Sequence, residues 1–121
     1  MTTYVVLLPG DEDAWEALSA EEQAAVFAKH EEFSTALAAR GHTVTGGHEL
    51  THSRTTKQVR KSPSGELLVT DGPYAETVEQ LSGFYVVESD DLDDLVQVCG
   101  ILANGDGAVE VRAAVDHSGE E

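Results

Sequence analysis

The sequence contains a histidine–glutamate–histidine pattern, HELTH at residues 48–52, which fits the HExxH sequence of zinc metalloproteases. That chemistry requires a helix, because only there do residues four apart lie side by side and bind one ion while the glutamate activates water. Here the preceding TVTGG favours a strand and a bulge, and in an extended chain His48 and His52 stand roughly 13 Å apart. We therefore predict no metal site. A zinc site formed from the pattern His48-Glu49-x-x-His52 stays a remote alternative.

His30 belongs to the apolar stripe of a predicted helix, beside Val26, Phe27 and Phe33, and is expected to point towards the sheet. Two interpretations remain open. One is a neutral core histidine that bonds a backbone group. The other is an acid–base group, because a histidine close to a carboxylate and shielded from water moves a proton near neutral pH.

Other chemistries find little support in the sequence. The single cysteine, Cys99, lies in an apolar helical stripe and is expected to be a buried residue in a reducing compartment. Its acidic neighbours are expected to raise the pKa of the thiol, which disfavours a nucleophile. No Gly-x-Ser-x-Gly elbow and no glycine-rich phosphate loop is present, which disfavours nucleotide hydrolysis and dinucleotide redox chemistry, and no cofactor is predicted.

A polar stretch, DGPYAETVEQ at residues 71–80, separates two predicted apolar strands. A glycine before a proline leaves the helical region, and Asp71 is expected to close the turn by accepting the Tyr74 N–H. The stretch is either a pocket rim or a connecting loop. As a rim, its ligand-binding candidates are Gly72, Pro73, Tyr74, Glu76, Thr77 and Gln80.

The composition is strongly acidic, with 23 Asp and Glu against 7 Lys and Arg and a formal net charge of −16 over 121 residues. A chain this negative repels polyphosphate and gains nothing from counterion release, so neither nucleic acid nor an anionic membrane is expected as a partner. No apolar run reaches membrane length, and no basic segment precedes an apolar one at the N-terminus. We therefore expect no membrane span, no signal peptide and a cytoplasmic location.

Four of the seven basic residues, Arg54, Lys57, Arg60 and Lys61, fall within eight positions. One interpretation is a solvated edge strand that the charges protect from pairing with other chains. The other is a local positive patch, in which Arg54 and Arg60 attract a small anionic ligand.

Hydrophobic spacing predicts two helices. Ser19 and Glu22 have the spacing of a capping box, and the helix that they open ends at Gly41, where a left-handed residue is expected. The second helix begins near residues 89–91 and closes at residues 104–107. Its predicted apolar face consists of Leu92, Leu95, Val96, Cys99 and Leu102.

The predicted strands begin with YVVLL at residues 4–8, an apolar run that Pro9-Gly10 ends and that is typical of a strand buried on both faces. Residues 11–17 are predicted to be an acidic connector anchored by Trp15. The other predicted strands cover residues 42–50 (with a bulge or close approach at Gly46-Gly47), 55–60, 66–70, 84–88 and 108–115.

Without the middle hairpin, the predicted order is β-α-β-β-α-β, the α+β ferredoxin-like arrangement with both helices on one face of an antiparallel sheet. Two helices cover only one face of this sheet. The first strand and residues 84–87 are apolar on both faces, so the second face also needs a cover. A second copy of the sheet is the simplest cover, giving a homodimer with a ligand cavity near its seam. We expect one domain over residues 1–115 and a polar tail at 116–121.

Residues 71–88, DGPYAETVEQLSGFYVVE, resemble the signature of the DGPF-domain branch of the YCII-related family, whose usual form is close to DGPFAETKEQLGGFY. Tyr74 replaces the usual phenylalanine and Val78 the usual lysine. The resemblance implies the same dimeric α/β barrel. It also implies a histidine–aspartate acid–base pair, in which His30 matches the family histidine and Asp71 is the candidate partner, placed by the signature alone.

The resemblance and the residues together predict a dimeric module that binds a small molecule or a regulatory partner. Relatives occur near, or fused to, sigma factors of the extracytoplasmic-function type, which implies a regulatory context. The alternative is a cofactor-independent acid–base enzyme that uses His30 and Asp71. It would eliminate from or isomerise a small anionic or aromatic substrate.

Overall fold

Six strands, three α-helices and one 3₁₀ turn form the part of the chain that the computed structural model describes, residues 1–103 and 107–118. In chain order they are β1 (Thr2–Asp11), α1 (Glu12–Ala17), α2 (Ala20–Ala39), β2 (Thr43–Glu49), the 3₁₀ turn (Ser53–Thr55), β3 (Lys57–Lys61), β4 (Leu67–Asp71), β5 (Glu79–Ser89), α3 (Leu92–Cys99) and β6 (Glu110–Ala113). The predicted closing turn at 104–107 and the predicted tail at 116–121 lie partly outside the described residues. None of the described helices is long and apolar enough to cross a membrane.

The main sheet has four strands in the order β2-β5-β1-β6, and every neighbouring pair is antiparallel. With α2 after β1 and α3 after β5, this order is compatible with the predicted ferredoxin-like arrangement. Strands β3 and β4 form a separate two-stranded sheet, which is the predicted extra hairpin. The prediction of a mixed α+β fold with antiparallel sheets is confirmed.

The predicted first helix is confirmed at both ends. The Ser19 hydroxyl accepts the Glu22 N–H at 3.1 Å, and the Glu22 carboxylate accepts the Ser19 N–H at 3.0 Å. The helix ends at Arg40, and Gly41 follows with φ of 85°. The predicted acidic connector differs from expectation, because Asp11 accepts the Ala14 N–H at 3.0 Å and thereby caps α1.

Two strands are longer than predicted. β1 continues beyond Pro9, because a register shift after Leu8 omits Ser82 from the pairing with β5. A proline is tolerated at such a bulge. β5 begins at Glu79, so the end of the polar stretch at 71–80 belongs to the main sheet.

The helices pack on one face of the main sheet. The buried core between these helices and the sheet consists of Val6, Phe33, Leu37, Val87, Leu95, Val98 and Cys99. The predicted face of the second helix is wrong in part, because Leu92 and Val96 are 42% and 46% exposed while Val98 is buried. Successive helical residues are turned by about 100°, so the inward face follows Leu95, Val98 and Cys99.

The opposite face of the main sheet is apolar and carries Val5, Leu7, Phe84 and Val86. Residues directly opposite each other on antiparallel strands share a face, and Val5 pairs with Val86 as Leu7 pairs with Phe84. All four side chains are half-buried. We call this surface the open face.

A polar network joins the end of α2 to the start of α3. The buried His42 contacts the Ser89 hydroxyl through Nδ1 and the Asp94 carboxylate through Nε2, each at 2.8 Å. The Arg40 guanidinium donates to the same carboxylate, with Nε 2.9 and 3.0 Å from its two oxygens. The bonds from Arg40 and His42 lower the pKa of Asp94 to about 2. We call these four residues the His42 network.

We expect Asp94→Asn to lower the melting temperature by several degrees, because it removes the charged acceptor shared by Arg40 and His42. A carboxylate whose pKa is lower in the folded state stabilises the fold above its unfolded pKa, and this stabilisation is lost as the pH falls from about 4 towards 2. The difference between wild type and variant should therefore shrink over that range in melts followed by circular dichroism. The control is Asp93→Asn, an exposed neighbour in the same helical turn. Equal effects of the two variants would contradict the role of the network.

Candidate functional site

A cleft of about 360 Å³ opens between the start of α1, the 3₁₀ turn and the polar stretch after β4. We call it the loop cleft. It brings together most of the residues predicted to bind a ligand, although they come from three separate parts of the chain. Its lining consists of Glu12, Asp13, His52, Ser53, Arg54, Asp71, Gly72, Pro73, Glu76, Thr77, Val78 and Gln80.

The loop of the cleft is held by side-chain amides. The Gln58 amide donates to the carbonyls of Gly72 and Pro73 at 3.1 and 2.7 Å, and the Gln80 amide donates to the Ala75 carbonyl at 2.8 Å. Gly72 has φ of 99°, a conformation that side chains beyond glycine rarely adopt. The amides and this glycine together fix the curvature of the loop.

The predicted turn contact of Asp71 is wrong. The Asp71 carboxylate accepts from the Lys57 ammonium, not from the Tyr74 N–H. The reason is the pairing of the hairpin, which places Lys57 directly opposite Asp71. The next residue continues this pairing, because the Gly72 N–H donates to the Thr56 carbonyl at 2.8 Å.

Two predicted ligand-binding residues lie outside the lining of the loop cleft. Tyr74 is 88% exposed, and the Arg60 guanidinium donates to the Gln58 side chain at 3.0 Å. Among the candidates, Arg54, Asp71, Gly72, Pro73, Glu76, Thr77 and Gln80 do line it.

Polar side chains connect α1 to the 3₁₀ turn. The Glu12 carboxylate accepts the Ser53 N–H at 2.8 Å and the Ser53 hydroxyl at 2.5 Å. The Asp13 carboxylate lies 2.9 Å from His52 Nε2. The Glu16 carboxylate accepts two bonds from the Arg54 guanidinium, both 2.9 Å. We call this set of contacts the α1 joint; its members are Glu12, Asp13, Glu16, His52, Ser53 and Arg54.

Two of the four residues of the basic cluster, Arg54 and Lys57, are neutralised within the chain. The bond from Arg54 lowers the pKa of Glu16, and the bond from Glu16 raises the pKa of Arg54. Lys57 pairs with Asp71. The loop cleft is lined by four carboxylates, from Glu12, Asp13, Asp71 and Glu76, so its local charge is negative. The hypothesis of a positive patch is not supported by this arrangement.

His30 lies in a different place. Its Nδ1 is 2.7 Å from the Tyr85 hydroxyl, beside a second cavity of about 540 Å³ that is lined by residues of α2 and by Tyr85 of β5. Burial lowers the pKa of His30, opposed by the carboxylate of Glu49, and burial raises the pKa of Tyr85. Both groups are therefore neutral near pH 7. Within the described part of the chain, no hydrogen bond or ion pair joins His30 to Asp71, and the two line different cavities.

Gly47 makes room for Tyr85, as the predicted bulge or close approach requires. The pairing of β2 with β5 shifts register between Val44 and Gly46, and Gly47 has φ of 149°. A Cβ atom at position 47 would stand 2.6 Å from the Phe84 carbonyl oxygen and 3.3 Å from the Tyr85 ring. The sequence thus signals the backbone feature that positions the partner of His30.

A family model described as the YCII-related domain matches residues 2–116. The chain belongs to the YCII-related family. A curated relative, the uncharacterized protein R00369 of Rhizobium meliloti (strain 1021), is 44% identical over 52 residues. That alignment covers 40% of this chain and 42% of the relative, so the match spans less than half of the length of either protein.

The HELTH pattern of this YCII-related protein is not a metalloprotease helix. His48 lies on β2 with its ring 6.0 Å from that of Phe84. His52 caps the 3₁₀ turn, where Nδ1 accepts the Arg54 N–H at 3.0 Å. The arrangement that HExxH zinc chemistry requires is absent, as the strand signals predicted.

Cys99 of the YCII-related protein is buried, as predicted, and its pKa is raised to about 11. The cause is burial and not the acidic neighbours that the sequence suggested. At this pKa the thiol stays protonated at neutral pH, so Cys99 fills the core and does not act as a nucleophile.

Proposed function

We propose that the protein is a homodimeric module that binds a small polar molecule in the loop cleft. The single observation that carries this proposal is the convergence of the loop after β4 with α1 and the 3₁₀ turn around one cleft. A volume of about 360 Å³ falls in the range typical of small-molecule sites. Membership of the DGPF-domain branch, on the residues of the loop, belongs to the same proposal.

The charge of the cleft favours a ligand that carries a positive group, such as an amine. Two of the basic residues near it, Arg54 and Lys57, are already paired with carboxylates. Asp13 is 88% exposed at its side chain and Glu76 is exposed, so both are accessible to a ligand. An ammonium group would complement them, whereas an anion would meet repulsion.

The homodimer is supported by the open face. Val5, Leu7, Phe84 and Val86 form a continuous apolar surface on the side of the sheet away from the core helices. Apolar surfaces of this kind mark association sites, and an isologous contact of two such sheets gives the dimeric α/β barrel.

A cytoplasmic, regulatory setting completes the proposal. The buried free thiol of Cys99 is consistent with a reducing compartment. The sigma-factor context of relatives, implied by the family resemblance, makes a regulatory protein partner an alternative occupant of the same loop.

A second candidate function is a cofactor-independent acid–base enzyme centred on His30. The observation that favours it is the bond between His30 and Tyr85 beside an open cavity. A half-buried histidine that is neutral at pH 7 can accept a proton, and the Tyr85 hydroxyl orients its ring. In this version Tyr85 takes the role predicted for Asp71.

For the dimer, we expect Val86→Glu to produce a monomer, because each copy would bury an unpaired carboxylate at the seam. The control is Val96→Glu, a valine 46% exposed on α3, on the helical side of the sheet. Size-exclusion chromatography with light scattering measures the mass. A monomeric wild type, or a dimer that Val86→Glu leaves intact, would contradict the proposed assembly.

For the cleft, we expect spermidine and arginine to raise the melting temperature of the wild type, and citrate and benzoate to leave it unchanged. Gly72→Ala should weaken this effect, because alanine is strained by about 1–2 kcal/mol at φ of 99° and the loop must shift. Gly65→Ala is the matched control, because Gly65 has φ of 86° in the hairpin turn. At either position an added Cβ atom would meet no described atom within 4 Å other than those of the adjoining residues, so neither substitution causes crowding and the two differ only in their place in the chain.

The two glycine variants should lose similar stability, whereas Gly72→Ala alone should lose the response to amines. Native mass spectrometry of the untagged wild type adds an independent measurement, because a co-purified ligand appears as a discrete extra mass. Stabilisation by the anions instead of the amines would refute the assigned ligand class. Equal responses of the two variants to the amines would show that the amines do not bind at the loop after β4.

For the enzyme, we expect His30→Gln to reduce turnover of a metabolite extract, followed by mass spectrometry, by about 10²–10⁴-fold. The melting temperature should change little, because glutamine can still bond Tyr85. Turnover should also fall as the pH drops through the lowered pKa of His30, since the base becomes protonated. The control is His48→Gln, on β2, which should leave turnover unchanged. A large loss of stability in His30→Gln with no effect on turnover would make His30 a structural residue.

A further inference from the structure

We propose that Asp13, Glu16 and His52 form a binding site for one first-row divalent cation, with Zn²⁺ as the best match. One atom from each side chain can be chosen so that all three lie within 4.8 Å of one another. The site lies at the rim of the loop cleft, where Asp13 and His52 belong to the lining. It shares Asp13 with the proposed amine site, but it rests on a different set of contacts and has its own test.

The distances suit a shared metal. His52 Nε2 is 2.9 Å from Asp13 Oδ1 and 3.9 Å from Glu16 Oε1. Two ligand atoms that each bond zinc at about 2.0–2.2 Å stand roughly 3–4 Å apart. The two distances from His52 Nε2 therefore fall close to the separations expected for atoms that share one ion.

The local structure explains why these three residues meet. Asp13 and Glu16 are three positions apart on α1, so they project from the same side of the helix. His52 caps the 3₁₀ turn and its side chain is only 16% exposed, whereas that of Asp13 is 88% exposed. The result is one fixed imidazole facing the exposed Asp13 carboxylate and the Glu16 carboxylate that Arg54 holds, with the remaining coordination positions open to the cleft.

The neighbouring residues supply the outer contacts of such a site. Glu12 Oε2 lies 3.5 Å from His52 Nδ1. It can accept a hydrogen bond from the Nδ1–H once Nε2 binds the ion. Glu16 Oε1 accepts from Arg54 Nη1 at 2.9 Å in the free protein, so the ion must take this oxygen from Arg54, while Arg54 Nη2 keeps Oε2 at 2.9 Å. This pattern, a carboxylate behind the histidine, is what zinc sites commonly use to orient their ligands.

Binding must rearrange one proton. In the free protein, Nδ1 of His52 accepts the Arg54 N–H at 3.0 Å, so Nε2 carries the proton and donates it to Asp13. The cation takes the Nε2 lone pair, the proton moves to Nδ1, and the imidazole stays neutral. The Arg54 N–H then loses its acceptor, so we expect affinity in the micromolar range and not that of a structural zinc site.

Donor chemistry and charge select the ion. One imidazole nitrogen with two carboxylate oxygens favours Zn²⁺ and its first-row neighbours, whereas Mg²⁺ prefers oxygen and water alone. The formal net charge of −16 raises the local concentration of any divalent cation. Selectivity for Zn²⁺ over Mg²⁺ therefore distinguishes this site from general attraction to an acidic surface.

The test is isothermal titration of the full-length, untagged protein with ZnCl₂ and, separately, MgCl₂. We expect one Zn²⁺ per chain and no comparable response to Mg²⁺. His52→Gln and Asp13→Asn should each weaken Zn²⁺ binding by at least about tenfold. The matched control is His48→Gln, the other histidine of the HELTH pattern, which lies on β2 and should bind as the wild type does.

Three results would overturn the proposal: no stoichiometric Zn²⁺ binding by the wild type, unchanged binding in His52→Gln, or an equal loss in His48→Gln. Should a variant fail to fold, wild-type NMR decides instead, because Zn²⁺ must shift the imidazole signals of His52 before those of His48. Gly72→Ala should keep its Zn²⁺ affinity even if it loses the response to amines, so failure of the two functions can be told apart.

Discussion

The α1 joint is the contact on which the arrangement of the cleft depends. A two-stranded sheet is marginally stable on its own, and the hairpin of β3 and β4 is separate from the main sheet. Polar contacts fix the position of this hairpin relative to the main sheet. The Glu12 carboxylate bonds Ser53 and the Glu16 carboxylate bonds Arg54, at the point where the chain passes from the 3₁₀ turn into β3. Because the loop after β4 returns from this hairpin, its position over the cleft follows from the same contacts. Ion pairs at a surface contribute little singly, so the joint gains its effect from several bonds that converge on a few residues.

The elements of the fold were predictable where the signals are local. The capping box at Ser19 and Glu22, the glycine after α2 and the bulge at Gly46-Gly47 each depend on neighbours a few positions away, and each is confirmed. The α1 helix was missed, because its six residues carry no apolar stripe and look like an acidic connector. The strand predicted at residues 84–88 is present, but the first part of β5, residues 79–83, was missed, since a bulge at Ser82 interrupts the alternation from which a strand is recognised.

The candidate site was predictable only in part. The loop after β4 was found from its unusual run of polar residues, yet its partners Glu12, Asp13 and His52 were not, because the contacts between α1 and the 3₁₀ turn join residues about forty positions apart. The partner of His30 is 55 positions away on β5. Spacing in sequence reports neighbours along one helix or strand, and it is silent on which loops meet at the end of a sheet. The charge cluster was left open between two interpretations for the same reason, since the acidic partners of Arg54 and Lys57 lie far away in sequence.

The place of β1 in the middle of the sheet has a consequence for synthesis on the ribosome. Its two neighbours are β5, at Glu79–Ser89, and β6, at Glu110–Ala113, so β1 has no partner in this sheet until β5 has been translated. Helix α2 can form early from local contacts, but the core that it covers cannot close before β5 emerges. During that interval an apolar strand of ten residues remains unpaired. Chaperones would therefore recognise the nascent chain and not the folded protein.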